Sequence, residues 1–172
     1  MKKIRAIPTE YNNYKFRSRL EARWAVYFDS LGIEYEYEKE GYDLGKVGRY
    51  LPDFWLPQVN MWAEIKGKPF TKTELLKCEA LAKHTGYECL LLSGLPDVKM
   101  YFATDRLDYM VTDYHNYCFD EHRFFCNCGY SAEYPFPFYA DNFGYEDSAI
   151  EAIKAARGAR FEFGQTPNVH RR

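Results

Sequence analysis

Three side chains in the first half of the 172-residue chain have types and spacing that could do chemistry: Asp53, Glu64 and Lys66. Tyr50 to Leu56 and Met61 to Lys66 read as two strands joined by the short turn Pro57-Gln58-Val59-Asn60. If that turn takes four residues, Leu56 faces Met61, Trp55 faces Trp62 and Phe54 faces Ala63. Asp53 and Glu64 then stand side by side, with their Cβ atoms about 5.5 Å apart. The two-residue period of a strand puts Lys66 on the face of Glu64, and Phe54, Leu56, Met61, Ala63 and Ile65 on the opposite, core-packing face. Directly paired carboxylates repel unless something compensates them. A divalent cation does so, and hard oxygen ligands suit Mg²⁺ or Mn²⁺. With a lysine beside them to orient or deprotonate a water, the trio fits metal-assisted hydrolysis of a phosphodiester. A lysine acting as base would need its pKa lowered from about 10.4. The plainer reading is a surface salt-bridge cluster.

Elements that would carry the trio follow from periodicity. Ser18 and Glu21 have capping-box spacing, and Leu20, Trp24, Tyr27/Phe28 and Leu31 recur at helical spacing before Gly32, which predicts a helix over 18–31. Ile33 to Glu38 alternates strictly, predicting a strand with Ile33, Tyr35 and Tyr37 on one face; Gly41 to Gly48 reads as a loop. Thr71 and Glu74 open a second helix that runs to Gly86, and Cys89 to Leu92 reads as a short buried strand. The order is α-β-β-β-α-β, a mixed central sheet flanked by helices in the α/β (α+β) range.

The organisation expected is a core over 1–100, an aromatic, acidic segment of strands and loops over 101–147, and a basic helix and tail over 148–172. Ser148 and Glu151 would start that last helix, fraying near Gly158. Residues 101–145 hold 15 aromatics, read as filling a small β-rich layer in preference to stacking bases, because the acidity there repels phosphate.

Net charge is -2, which excludes a protein that grips nucleic acid by bulk positive charge. Its distribution is uneven: +5 over residues 1–23, -3 over 24–103, -7 over 104–150 and +3 over 151–172. If both ends fold onto one face they make a positive surface; ordinary solvated helix faces are the bland alternative. No run approaches the roughly 20 apolar residues of a membrane span, and no apolar stretch follows the basic start. The expectation is no membrane partner and a cytoplasmic location, which the odd count of five cysteines suits. Cys118, Cys126 and Cys128, with His115 and His122 nearby, have zinc-ligand types, and Cys126-Asn127-Cys128-Gly129 is like half of a zinc knuckle. Their spacing departs from two pairs with two-residue gaps, so zinc is the minor expectation. Cys78 and Cys89 read as core residues.

Pro52-Asp53 followed by Glu64-Ile65-Lys66 resembles the PD-(D/E)xK nuclease motif, within the helix, three strands, helix and strand of that superfamily. Phe16 to Trp24, Tyr50 to Phe54 and Ala155 to Glu162 resemble small phage-type endonucleases of the superfamily. The resemblance implies a restriction-endonuclease-like core and a Mg²⁺- or Mn²⁺-dependent, phage-encoded DNA endonuclease working in the host cytoplasm. It implies that Asp53, Glu64 and the Ile65 carbonyl ligate the metal, and that Lys66 positions water and stabilises charge at the phosphate. Glu21 matches the upstream helix acid that completes such sites; its capping box explains it equally. Arg17, Arg19, Arg23, Lys68 and Lys77 are the expected DNA contacts, although a solvated role suits Lys77 as well. Two alternatives stand beside this: a structure-selective Holliday-junction resolvase, which favours a homodimer, and a catalytically silent nucleic-acid- or protein-binding domain.

Overall fold

A computed structural model describes residues 6–58, 60–96, 101–103, 144–162 and 167. Within these, the chain is a mixed α+β fold with a five-stranded mixed sheet and helices packed on it. The N-terminal hairpin β1 (Thr9–Tyr11) and β2 (Tyr14–Phe16) leads into α1 (Arg19–Ser30). Then come β3 (Glu36–Tyr37), a small hairpin of β4 (Tyr42–Asp43) and β5 (Arg49–Tyr50) around a 3-10 turn (Gly45–Val47), β6 (Phe54–Leu56), and β7 (Met61–Lys66). α2 (Lys72–Thr85), β8 (Cys89–Ser93), β9 (Tyr101–Ala103) and α3 (Gly144–Gly158) follow.

The main sheet has the order β3-β6-β7-β8-β9. β7 pairs antiparallel with β6 on one side and parallel with β8 on the other. The parallel step requires a crossover, and α2 supplies it. The observed β6–β7 register is Phe54↔Ala63, Trp55↔Trp62 and Leu56↔Met61, the one expected from a four-residue turn.

Both helices start where their caps predict. Ser18 accepts the Glu21 amide at the head of α1, and Thr71 and Glu74 close a complete capping box at the head of α2. α2 ends at Gly86 with φ +77°, a left-handed position that glycine takes without cost. α1 is buried nearly all round, with Ala22, Trp24, Ala25, Val26, Tyr27 and Phe28 out of water, because α3 packs on it as well as the sheet. Ala152, Ala156 and Ala159 of the C-terminal region belong to the same core as α1 and the sheet. α3 begins four residues before the Ser148 start expected from its capping pattern.

Three local expectations are corrected. The strand over 33–38 pairs only at Glu36–Tyr37, although Ile33, Tyr35 and Tyr37 do turn inward. Gly41 to Gly48 is not an open loop: Tyr42 pairs with Tyr50 and Asp43 with Arg49, and the chain reverses through Gly45 (φ +63°) and Gly48 (φ +93°). Tyr50 to Leu56 is not one strand. Tyr50 belongs to the small hairpin, Pro52 has no N–H to donate to a ladder, and pairing with the main sheet starts at Phe54.

The face of β6–β7 that carries the charges is covered too. Trp55, Trp62, Cys78, Leu81, Cys89 and Leu91 form a second core between the sheet and α2. The first core is largely aromatic: Phe54 lies within 5.3–6.0 Å, centroid to centroid, of Phe16, Phe28, Tyr35 and Tyr37. Stacked and edge-to-face contacts of this kind add about 0.5–1.5 kcal/mol each beyond burial. Part of the chain's aromatic wealth is thus spent in the core. The segment 104–143, with the zinc-type residues His115, Cys118, His122, Cys126 and Cys128, lies outside the described residues.

Candidate active site

Asp53, Glu64 and Lys66 come together at the C-terminal end of β7. Asp53 precedes β6 and is fixed from both sides: its carbonyl accepts the Glu38 amide at 2.9 Å, and its own amide points at Glu64 Oε2, 3.4 Å away. Its carboxylate reaches across the hairpin and accepts the Ile65 amide at 2.7 Å. Glu64 Oε1 takes the Lys66 ammonium. Glu64 is 3% exposed and Asp53 8%, while the Lys66 side chain keeps 29% of its surface. Two buried carboxylates therefore share one half-buried ammonium.

The electrostatics follow from that count. Burial, and then Glu64 beside it, push the Asp53 carboxyl well above the usual carboxylate range; Lys66 and the Ile65 amide pull the other way, and Glu21 adds a smaller upward push. Burial on its own would lower the Lys66 ammonium, but Glu64 and Asp53 outweigh it and hold the group above its ordinary value. Lys66 is thus a fixed positive charge in this arrangement, opposite to what a lysine general base requires.

Glu21 stands in the first turn of α1, 9% exposed. Expected as a metal ligand, its carboxylate has three protein donors: the Arg17 amide at 3.0 Å and the Tyr37 hydroxyl on Oε2, and the Ser18 hydroxyl at 2.6 Å on Oε1. The first turn of α1 abuts the end of β7, since a Cβ added to Gly67 would lie 3.8 Å from Leu20 Cδ2. Capping and proximity to the carboxylate pair are therefore both true of Glu21.

On the other flank, Tyr50 and Cys89 lie near enough to Glu64 for its charge to act on both, and Cys78 of α2 adjoins Tyr50. The Tyr50 hydroxyl lies 3.4 Å from Cys78 Sγ, and both thiols are free and buried. Burial, with Cys89, Cys78 and Glu64 adding to it, drives the Tyr50 phenol upward, so it stays protonated. Sequence reading missed Tyr37 and Tyr50 as site neighbours. Both look like core aromatics in a pattern of apolar positions, and the pattern is blind to where their hydroxyls end.

The expected DNA contacts are dispersed. Arg17 bridges Glu38 at 2.6 Å, and Arg19 bridges Glu162 at 2.6 Å. Arg23 reaches the Ala159 carbonyl at 3.4 Å, where it ties α1 to the C-terminal region. Lys68 is exposed just past β7, and Lys77 is half-buried with its ammonium 6.0 Å from the centre of the Tyr50 ring.

Among the described residues no group of three or more His, Cys, Asp or Glu side chains is arranged to hold a metal ion. The donor set here is two carboxylates, with the Ile65 carbonyl between Glu64 and Lys66. All are hard oxygens, and Lys66 neutralises only one of the two negative charges, so the set suits a small divalent cation. Among the described residues no helix is long and apolar enough to cross a membrane. Comparisons of the chain with protein-family models, with curated proteins and with solved structures find no match.

Proposed function

We propose that the chain is a divalent-metal-dependent DNA endonuclease of the PD-(D/E)xK type, built on a restriction-endonuclease-like core. The observation that carries the reading is the Asp53–Glu64–Lys66 trio in its antiparallel register, with both carboxylates buried against each other. A purely structural hairpin has no use for such a pair, because burying like charges together costs stability.

Asp53 and Glu64, with the Ile65 carbonyl, would hold Mg²⁺ or Mn²⁺. Bound there, the cation would supply Lewis-acid activation of water and charge stabilisation at the phosphate. The chain's own residues do the rest. Lys66, kept charged by its two acidic neighbours, orients the attacking water and meets the negative charge that grows on the phosphate oxygens. Glu21, locked by Arg17, Ser18 and Tyr37, keeps a negative potential beside Asp53 that favours a cation over a second ammonium. The Ile65 amide holds the Asp53 carboxylate in one orientation.

The test incubates the wild type, Asp53→Ala and Lys66→Ala with supercoiled plasmid and with four-way-junction DNA, in Mg²⁺, Mn²⁺ or EDTA. Cleavage by the wild type in metal alone, lost in both variants, is the expected result. Cleavage that survives both substitutions sinks the site assignment. Cleavage confined to junctions turns the reading toward a resolvase, and no cleavage of any substrate turns it toward a silent binding domain.

A further inference from the structure

Among the described residues several exposed cations take part in no ion pair, and four of them lie in the two chain segments that flank the site residues. Four ion pairs are formed among the described residues, and they use Arg17, Arg19, Lys39 and Lys66. Lys46, Arg49, Lys68 and Lys72 are exposed and belong to none of these pairs.

Along the chain they flank the site on both sides, Lys46 and Arg49 before Asp53 and Lys68 and Lys72 after Lys66. Arg49 is four residues before Asp53, at the end of the β4–β5 hairpin, and Lys46 is in its 3-10 turn. Lys68 lies two residues past the end of β7, and Lys72 opens α2. The hairpin is docked, not loose: its 3-10 turn packs against α2. Tyr42, Leu44 and Tyr50 join Phe70 and Leu75 in packing on the second core. Tyr50 reaches Cys78 of α2, and Lys77 lies over the Tyr50 ring.

Local charge is strongly positive. Residues 41–50 and 66–77 together hold six Lys or Arg and two acids, in a protein whose net charge is -2. Both acids are already engaged with the backbone. Asp43 accepts the Gly45 amide at 3.0 Å inside the hairpin, and Glu74 closes the α2 capping box on Thr71. Asp43 stands across the ladder from Arg49 and Glu74 acts on Lys66 and Lys77, but neither forms an ion pair with Lys46, Arg49, Lys68 or Lys72, which stay exposed.

We propose that the β4–β5 hairpin and the first turns of α2 form a phosphate-gripping arm, in which Lys46, Arg49, Lys68 and Lys72 hold the backbone of a DNA duplex next to the carboxylate site. This rests on the endonuclease reading. Each lysine or arginine set on a phosphate releases condensed counterions, so the arm contributes affinity without base preference. It also explains how a protein of negative net charge holds a polyanion: the positive charge is local to the site.

The test measures binding of a fluorescein-labelled 20-base-pair duplex by anisotropy in EDTA, across a salt series, so that cleavage plays no part. The triple variant Lys46→Ala/Arg49→Ala/Lys72→Ala is compared with wild type and with Arg17→Ala/Arg19→Ala. Circular dichroism confirms folding, which these exposed positions spare. The triple variant should bind about tenfold or more weakly, and its slope of log affinity against log salt should fall by about three. The Arg17/Arg19 variant should lose less than half as much. A triple variant with wild-type affinity and slope overturns the arm while leaving the endonuclease reading to the cleavage assay. A wild type that cleaves DNA in Mg²⁺ yet binds no better than the triple variant does the same. A wild type that neither binds the duplex nor cleaves any DNA overturns both.

Discussion

Asp53 and Glu64 are cross-bonded: the amide of Asp53 faces the Glu64 carboxylate at 3.4 Å, while the carboxylate of Asp53 takes the amide of Ile65, the residue after Glu64, at 2.7 Å. The two acids are therefore held by each other's strand. A slip of one residue between the strands would break these bonds and put the two carboxylates on opposite faces.

That confinement has a measurable cost. Asp53 has a folded-state pKa raised by burial and by Glu64, so the stability linked to its protonated form is complete below the unfolded value, about 3.9, and is lost as pH rises through the folded value. Asp53→Asn keeps an acceptor for the Ile65 amide and removes the charge. In EDTA at pH 8 it should melt higher than wild type, by about 2–4 °C per kcal/mol relieved. The gain should shrink toward pH 4, as thermal denaturation by circular dichroism across pH will show. The same variant should not cleave DNA.

Lys66→Met should act in the opposite sense. It strips the ammonium from two buried carboxylates, and breaking a buried pair by removing one partner costs about 3–5 kcal/mol, less here because Lys66 is partly exposed. The double variant Asp53→Asn/Lys66→Met should recover part of the loss. A chemical-denaturation double-mutant cycle should return a coupling energy of about 1 kcal/mol or more; additivity would mean that the two groups do not sense each other.

Divalent metal should stabilise the wild type by binding the folded state alone. At a hundredfold excess over its dissociation constant, Mn²⁺ is worth about 2.7 kcal/mol. The shift in melting temperature should be absent from Asp53→Asn and from Glu64→Gln. A shift of equal size in all three proteins would place the ion elsewhere.

Tyr37→Phe isolates the support of Glu21. It deletes one of three donors on that carboxylate and leaves the ring in the core. Hydrogen bonds to charged groups are worth about 1.5–3 kcal/mol, so a loss of about 1–2 kcal/mol in denaturant titration is expected. Cleavage should fall with little change in duplex affinity.

How much of this was legible beforehand depended on the length of each pattern. The β6–β7 register was readable because apolar and acidic positions alternate on both sides of a short turn, and only one pairing keeps Phe54, Leu56, Met61 and Ile65 together. Both helix starts were readable from side chains that satisfy the free amides of a first turn. The β1–β2 and β4–β5 hairpins were not, because strands of two or three residues carry no periodicity. Their information lies in turn chemistry instead: Asn12 and Asn13, both at positive φ, reverse the first, and Gly45 and Gly48 the second. The second core was hidden because Trp55 and Trp62 share a face with no apolar residue near them in sequence. Cys78 and Leu81 meet them only once α2 has crossed over.

The packing of α3 on α1 bears on the order in which the protein is made. Residues 104–143 separate β9 from α3, so the helix that begins with Glu21's turn awaits a partner that the ribosome delivers much later. At about 5–20 residues per second, those forty residues take about 2–8 s to synthesise. Until Ala152 and Ala156 arrive, Ala22, Val26 and their neighbours lack their outer cover. Asp53, Glu64 and Lys66 are thus translated well before the helix that completes the cover of α1.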